Sequence, residues 1–221
     1  MGKVIESTAI KRGHTIVSIV DSIKVGEIKS ADIAIDFSTP NSAFQNIEKA
    51  FKNKVSVVSG TTGWLKDLDK IEKLAIKENV GFIYSSNFSL GVNLFFQLNK
   101  TLSKLMTSYN YSIELSEKHH AKKIDSPSGT SISLANEIIS NSRYEKWGLN
   151  SKNKKVLKIK SSRTGHFPGT HNVSYKSEFD KISIEHESYS RAGYAIGAVI
   201  AAEWLYGKNG VYSMSDVLNI N

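Results

Sequence analysis

Apolar positions follow two alternating rhythms over the first two-thirds of the chain. In "GKVIESTAIKRG", Val4, Ile5, Ala9 and Ile10 keep helical spacing and predict a helix that stops at Gly13. The β-branched run "TIVSIVD" (15–21) predicts a short strand ending in an acid, and "ADIAIDFS" (31–38) predicts another. Thr39-Pro40 starts a helix that runs to about Lys52, because the fixed φ of proline suits a first helical turn. "VSVVSG" (55–60) reads as a strand, and Leu65, Leu68, Ile71, Leu74 and Ala75 mark a helix. "VGFIYSSN" (80–87) is a further strand, followed by a helix from about Val92 to Met106.

Strands alternating with helices of this length predict βαβ units on a parallel sheet, and ligands bind such sheets at the carboxyl ends of the strands. The loops expected there are polar, Gly-rich or aromatic: "DS" at 21–22, "DFSTP" at 36–40, "SGTTGW" at 59–64 and "SSNFSLG" at 85–91. After Tyr109 the rhythm changes. "YSIELSEKHH", "KVLKIKSS", "HNVSYKS" and "KISIEHESYS" read as strands, some with the strict alternation of a sheet covered on one face. A helix over about 129–142 interrupts them, and "YAIGAVIAAEWLYG" (194–207) is apolar enough for a buried helix. The expected fold is α/β. A Rossmann-like dinucleotide-binding domain takes residues 1–89 and 192–221, and a second α+β domain for substrate binding and oligomerisation takes 90–191.

The front departs from that plan. A dinucleotide fold opens with a strand, a G-x-G-x-x-G turn and a helix whose start holds the pyrophosphate. This chain begins at "MGK", directly in the first helix. Asp21 follows Gly2 at about the 20-residue distance of a ribose-binding acid, and it serves equally well as a loop cap. A start placed too far downstream, a real truncation and a different fold all fit the missing strand. The favoured expectation is a shortened description of a longer ancestor, since an absent central strand leaves exposed sheet edges.

Composition narrows the function classes. No apolar run approaches the roughly 20 residues of a membrane span, and no apolar segment of a secretory signal opens the chain. There is no cysteine, which excludes disulfides and thiolate metal sites and fits a reducing compartment, so cytoplasm is the default. The net charge of +8 suggests nucleic acid, but the lysines are scattered along the chain and the arginines are Arg12, Arg143, Arg163 and Arg191 alone. The charge reads as background, with neither nucleic acid nor membrane as partner.

The densest chemistry lies in "EKHHAKKIDSPSGTS" (117–131). Its pattern E-x-H-H-x-x-K-x-D-x-P-S-G-T, carried by Glu117, His119, His120, Lys123, Asp125, Pro127, Ser128, Gly129 and Thr130, resembles the signature of the dihydrodipicolinate reductase family. "DFSTP", "SGTTGW", "SSNFSLGVN" and "SRAGYAIGAVIAAEWL" occur in that family's order, so the resemblance spans nearly the whole chain. The departure is the front, where only Met1-Gly2-Lys3 matches the end of the glycine-rich loop.

The resemblance implies an NADH- or NADPH-dependent oxidoreductase of lysine and diaminopimelate biosynthesis. Such an enzyme reduces a cyclic unsaturated dicarboxylate (4-hydroxy-tetrahydrodipicolinate or dihydrodipicolinate) to tetrahydrodipicolinate. Hydride arriving at ring C4 pushes electrons towards the ring nitrogen, and a proton must reach C3. His119 matches the family's proton donor, a role that suits an imidazole near neutrality. Lys123 supplies positive charge or hydrogen-bonds the ring nitrogen. His120, Gly129 and Thr130 match substrate-binding positions, the last two at a helix start that favours anions. Gly2, Gly60, Thr61, Thr62, Ser85, Ser86, Asn87 and Phe88 match cofactor-lining positions. Asp21 matches the acid on the adenosine ribose, tilting the choice to NADH while Lys24 softens it, and Phe37 is a weaker cofactor neighbour. A homotetramer is also implied.

Taken singly, these residues have plainer readings. Adjacent histidines on a strand point to opposite faces, one solvated and one structural. "HHAKK" lacks a carboxylate or third histidine at usable spacing, so no metal site is expected. Arg163, His166 and His171 flank a Gly/Pro loop that reads more plainly as surface than as substrate contact, and Arg191 is a hinge or an ion-pair member. The alternative function is a shortened chain that binds the dicarboxylate without turning it over.

Overall fold

The computed structural model describes residues 1–20, 28, 31–166 and 168–220. The chain divides into two compact units, Met1–Asn93 with Ala192–Asn221, and Leu94–Arg191. No helix among the described residues is long and apolar enough to cross a membrane.

The first unit opens with α1 (Gly2–Lys11). It ends as expected at Gly13, whose φ of 90° lets the N–H groups of Gly13 and His14 turn back onto the carbonyls of Ile10 and Ala9. Then follow β1 (Ile33–Asp36), α2 (Pro40–Lys52), β2 (Ser56–Ser59), a 3₁₀ turn (Leu65–Asp67), α3 (Leu68–Glu78) and β3 (Gly81–Tyr84). After the second unit the chain returns as α6 (Ala192–Leu205), β9 (Gly210–Tyr212) and α7 (Met214–Leu218). The sheet order is β1-β2-β3-β9, parallel throughout. Alternation along β2 and β3 sends Val57 and Phe82 to the face covered by Ile47 and Phe51 of α2 and Ile71 of α3. Val58 and Ile83 go to the opposite face, under Ile5, Ala198 and Leu205. Helices on both faces of a parallel sheet make this a Rossmann-like α/β unit.

The strand expected over 15–21 is not formed over 15–20, and Asp21 lies outside the described residues. Val17, Ile19 and Val20 stay exposed. β-branched residues favour a strand only where a neighbour takes up their N–H and C=O groups, and no ladder forms here. Two short elements, β9 and α7, went unexpected. The S-x-x-D pattern of Ser213 and Asp216, a capping box at the start of α7, was the available signal.

In the second unit, α4 (Leu90–Met106) carries the chain from the first unit, and β4 (Ser112–His119) and α5 (Gly129–Ser140) follow. Next come β5 (Lys146–Leu149), β6 (Val156–Arg163), β7 (Gly169–Lys176) and β8 (Lys181–Ser188). The sheet order is β5-β6-β4-β7-β8, with β5, β6 and β4 parallel and β4, β7 and β8 antiparallel in turn. β5 was not foreseen, since "KWGL" has too little alternation to separate it from a loop. The inner face is a row of side chains across three strands. Ile159, Leu115 and Val173 are in register, and Leu134, Ala135 and Ile138 of α5 belong to the same core.

Close packing in the first unit makes one glycine obligatory. A Cβ on Gly197, inside α6, would lie 1.7 Å from the carbonyl oxygen of Phe88. Backbone cannot swing aside as a flexible side chain can. Gly197→Ala is expected to destabilise the protein by about 3 kcal/mol or to block folding, measured by urea denaturation.

Candidate active site

One row beyond Leu115, the inner face of the second sheet turns from apolar to polar. Glu117 on β4 pairs with Ser161 on β6 and His171 on β7, and His119 pairs with Arg163. Residues 115, 117 and 119 share a face by strand alternation, so Glu117 and His119 are buried by the same rule that buries Leu115.

A carboxylate taken out of water must be met by donors. Glu117 meets them from two elements, the start of α5 and the end of β6. Oε1 accepts from Ser161 Oγ at 2.7 Å, Arg163 Nη2 at 2.8 Å and Ser128 N at 3.2 Å. Oε2 accepts from Ser131 Oγ at 2.7 Å and Ser128 N at 3.1 Å. Burial pushes the acid up, but the donors of Ser128, Ser131, Ser161 and Arg163 outweigh it and hold the pKa at about 2. Arg163 also donates to Ser161 Oγ and to the carbonyls of Ser162 and Asp125.

His119 stands at the end of β4, with Nδ1 3.7 Å from Glu117 Oε2 and without a hydrogen-bond partner among the described residues. Its ring meets that of His171 edge to face, with centroids 5.0 Å apart. A Cβ on Gly169 would lie 2.7 Å from His119 Nε2, so a side chain on the strand opposite would displace this imidazole. Burial lowers the pKa of His119, Glu117 opposes this, and Lys123 and Arg163 add to the lowering. His171 Nε2 lies 3.0 Å from Ser128 Oγ, while burial and then His119 push its pKa down to about 4.

After β4 the chain turns through 120–128, with a cis Ser126–Pro127 bond, into α5. The Ser128 side chain accepts from Ser131 N at 3.2 Å as the N-cap of α5. The first helical N–H groups, those of Gly129 and Thr130, have no intrahelical partner. Gly129 is exposed, with open space where a Cβ would point. Lys123 Nζ lies 2.7 and 2.8 Å from the two oxygens of Asp125, and its contact holds that carboxyl below the usual range. His120 is half-buried, and its carbonyl accepts from Lys123 N.

The surface-loop reading of Arg163 and His171 is thus corrected. Both sit on strands, and strand pairing carries them to Glu117, whereas His166 is exposed. The carboxylate and further histidine missing from "HHAKK" are supplied by Glu117 and His171, whose donor atoms lie with that of His119 within 4.8 Å of one another. Both Glu117 oxygens are already filled by hydrogen-bond donors, including a guanidinium. Among the described residues Glu117 is thus a hydrogen-bond hub.

The comparisons with known proteins agree over the whole chain. Residues 1–88 match the profile "dihydrodipicolinate reductase, N-terminus", and residues 91–218 match "dihydrodipicolinate reductase, C-terminus". The chain belongs to the dihydrodipicolinate reductase family. It is 46% identical to the 4-hydroxy-tetrahydrodipicolinate reductase of Christiangramia forsetii, covering 99% of this chain and 94% of that protein. It is 36% identical to the reductase of the same name from Buchnera aphidicola subsp. Cinara cedri, over 95% and 80%. Among solved structures, dipicolinate-bound dihydrodipicolinate reductase from Paenisporosarcina sp. TG-14 superposes with a TM-score of 0.67 at 25% identity, over 86% of this chain and 74% of that one. A probable dehydrogenase from Thermotoga maritima shares the fold at 12% identity, with a TM-score of 0.52.

Membership of the dihydrodipicolinate reductase family makes the chain an oxidoreductase whose N-terminal domain calls for a pyridine nucleotide. The first unit fits one. The loops after β1, β2 and β3 lie at the carboxyl ends of parallel strands. α1 starts at Gly2 with no acid in its first turn, no side-chain cap and open space where a Cβ on Gly2 would point. At Gly60 a Cβ would lie 2.3 Å from the Phe37 ring, so any side chain there would have to displace that ring. Thr62 and Ser86 are exposed. The Thr61 hydroxyl is committed to buried Asp36 at 2.7 Å, and Ser85 Oγ to the Asn87 carbonyl at 2.8 Å. Asn87 Oδ1 in turn accepts from Ser89 N. The Phe88 ring lies in the core, 1% exposed and 5.8 Å from the Phe37 ring. Asp21 and Lys24 fall outside the described residues.

The buried histidine makes stability depend on pH. His171 is held neutral to about pH 4 when folded, whereas an unfolded histidine titrates near 6.5. Between those values the unfolded chain binds the extra proton, so stability present above pH 6.5 is lost as the pH falls towards 4. At pH 4.5 this loss is on the order of 2 kcal/mol. His171→Asn is expected to flatten that stretch of the stability curve, read from urea midpoints at pH 7 and 4.5.

Proposed function

We propose that this chain reduces 4-hydroxy-tetrahydrodipicolinate or dihydrodipicolinate to tetrahydrodipicolinate with NADH or NADPH, as the names of its relatives indicate. One observation carries the assignment of the second unit. Glu117 Oε2 is 3.7 Å from His119 Nδ1 and 3.1 Å from Ser128 N, so a proton donor and an anion-binding helix start stand one carboxylate apart. The alternative of binding without turnover has no support in these matches.

The dinucleotide would be held by Gly2 at the start of α1, by the backbone of Gly60, Thr61 and Thr62, by Ser85, Ser86, Asn87 and Phe88, and by Asp21 at the ribose. When bound, its nicotinamide supplies the hydride. Asp21 favours NADH, because a carboxylate there repels a 2′-phosphate.

The N–H groups of Gly129 and Thr130, the Thr130 hydroxyl and His120 bind the substrate carboxylates. His119 gives the proton to ring C3. Burial keeps it largely neutral beforehand, and a dianion arriving beside it raises its proton affinity, so proton uptake follows substrate binding. Lys123 leaves exposed Asp125 to place its charge where negative charge develops at the ring nitrogen. The residues of the second unit thus serve both substrate binding and, through the outer strand β8, a homotetramer. Exposed Phe179 and Tyr189 flank that strand.

Purified chain is expected to oxidise NADH only when the cyclic dicarboxylate is generated in the assay. His119→Gln should lower kcat by about 100- to 1,000-fold, and adding Lys123→Met should lower it further. Native turnover in His119→Gln would remove the proton-donor role, and calorimetric binding of the dicarboxylate with no oxidation would return the binding-only reading. Sedimentation at four times the protomer mass tests the tetramer.

A further inference from the structure

Glu117 opens the family-like motif, yet no step above uses it. Its placement divides the donors at the start of α5. Ser128 N goes to the carboxylate, Ser131 N goes to Ser128 Oγ, and Gly129 N and Thr130 N between them are left without an acceptor inside the helix. Those two are the N–H groups assigned to the substrate. The same carboxylate ties that helix start to β4 directly and to β6 through Ser161 and Arg163.

Its second oxygen faces two imidazoles, with His119 Nδ1 and His171 Nε2 each 3.7 Å from Oε2. That is beyond hydrogen-bond range, so the carboxylate acts on both by its field. A hydroxyl relay connects His171 to the same oxygen: Nε2 to Ser128 Oγ at 3.0 Å, Ser128 Oγ to Ser131 Oγ at 3.1 Å, and Ser131 Oγ to Oε2 at 2.7 Å. A neutral His171 that donates from Nε2 satisfies this relay, which leaves the negative charge for His119. The other groups facing His119 are Arg163 from β6, His171 from β7, and Lys123 and Asp125 from the loop after β4.

We propose that Glu117 is a positioning residue for the reduction: it fixes the substrate-binding start of α5 and stabilises the positive charge on His119 that proton delivery requires. The inference rests on His119 being the proton donor. Glu117 touches no substrate atom in this scheme and acts through His119 and through Gly129 and Thr130.

The test compares Glu117→Gln, Glu117→Asp and Ser131→Ala with the native full-length chain and with His119→Gln. The readouts are the pH profile of kcat, the KM for the dicarboxylate, and the titration of His119 by NMR of ¹³C-labelled histidine, assigned from the spectrum of His119→Gln. Glu117→Gln should displace the alkaline limb of kcat and the His119 titration to lower pH by about one unit, about tenfold in proton affinity. It should also raise KM several-fold. Glu117→Asp should restore part of the displacement. Ser131→Ala, which removes a donor from Oε2 and leaves more charge facing His119, should displace both in the opposite direction.

A role confined to folding would lower stability without moving the titration in opposite senses. An unmoved His119 titration in Glu117→Gln overturns the proposal. If that variant does not fold, an unmoved titration in Ser131→Ala overturns it instead. Native turnover in His119→Gln would sink the proton-donor reading itself, a distinct outcome.

Discussion

A charged carboxylate inside a sheet is the constraint around which the second unit is arranged. Water would solvate it better than any apolar core, so burial is tolerable only with a full set of donors in place. Glu117 gets them from an N-cap backbone, two serine hydroxyls and a guanidinium, drawn from α5 and β6. Each donor fixes an element. The helix start, the far end of β6 and, through the serine relay, β7 are all located by one side chain.

The first unit solves a related problem at the carboxyl ends of its strands. Asp36 is buried at the end of β1, and Oδ2 accepts from Ser59 and Thr61 on and after β2. Ser38 N donates to the Thr61 hydroxyl, Gly60 N to the Asp36 carbonyl, and the Trp64 indole to the Thr61 carbonyl. A loop that would otherwise be a free run of Gly and Thr is tied at each turn. Backbone N–H groups can be presented to a ligand from such a loop because its own polar groups are already satisfied.

The layered α/β plan was legible because alternating patterns are local. A period of 3.6 in α2 and α3 and the apolar runs of β2 and β3 are visible in windows of a dozen residues. The nearness of His119, Lys123, Gly129 and Thr130 was legible too, because they lie in one continuous motif. The hub was not. Glu117 meets Ser161, Arg163 and His171 only through the register of β4 with β6 and β7, and the sequence between them carries no sign of that register. Arg163 and His171 flank a glycine- and proline-containing turn, which argues for surface until strand pairing is known. "TIVSIVD" failed for the opposite reason: its residues favour a strand, but propensity without a neighbouring edge makes no ladder.

The row Ser161–Glu117–His171 also has a consequence for how the chain finds its fold. Sliding β4 by one residue would turn Glu117 and His119 outward and bring Ser116 and Lys118 inward beneath α5. The slipped sheet would place an ammonium where Arg163 already stands, leave the guanidinium without its carboxylate, and strand the Ser131 hydroxyl. A slip of two residues keeps the faces, and an apolar row would then exchange one apolar side chain for another at little cost. The polar row would still part Glu117 from Ser161 and Arg163. The residues of this polar row therefore discriminate against the nearest misfolded neighbours of the native sheet.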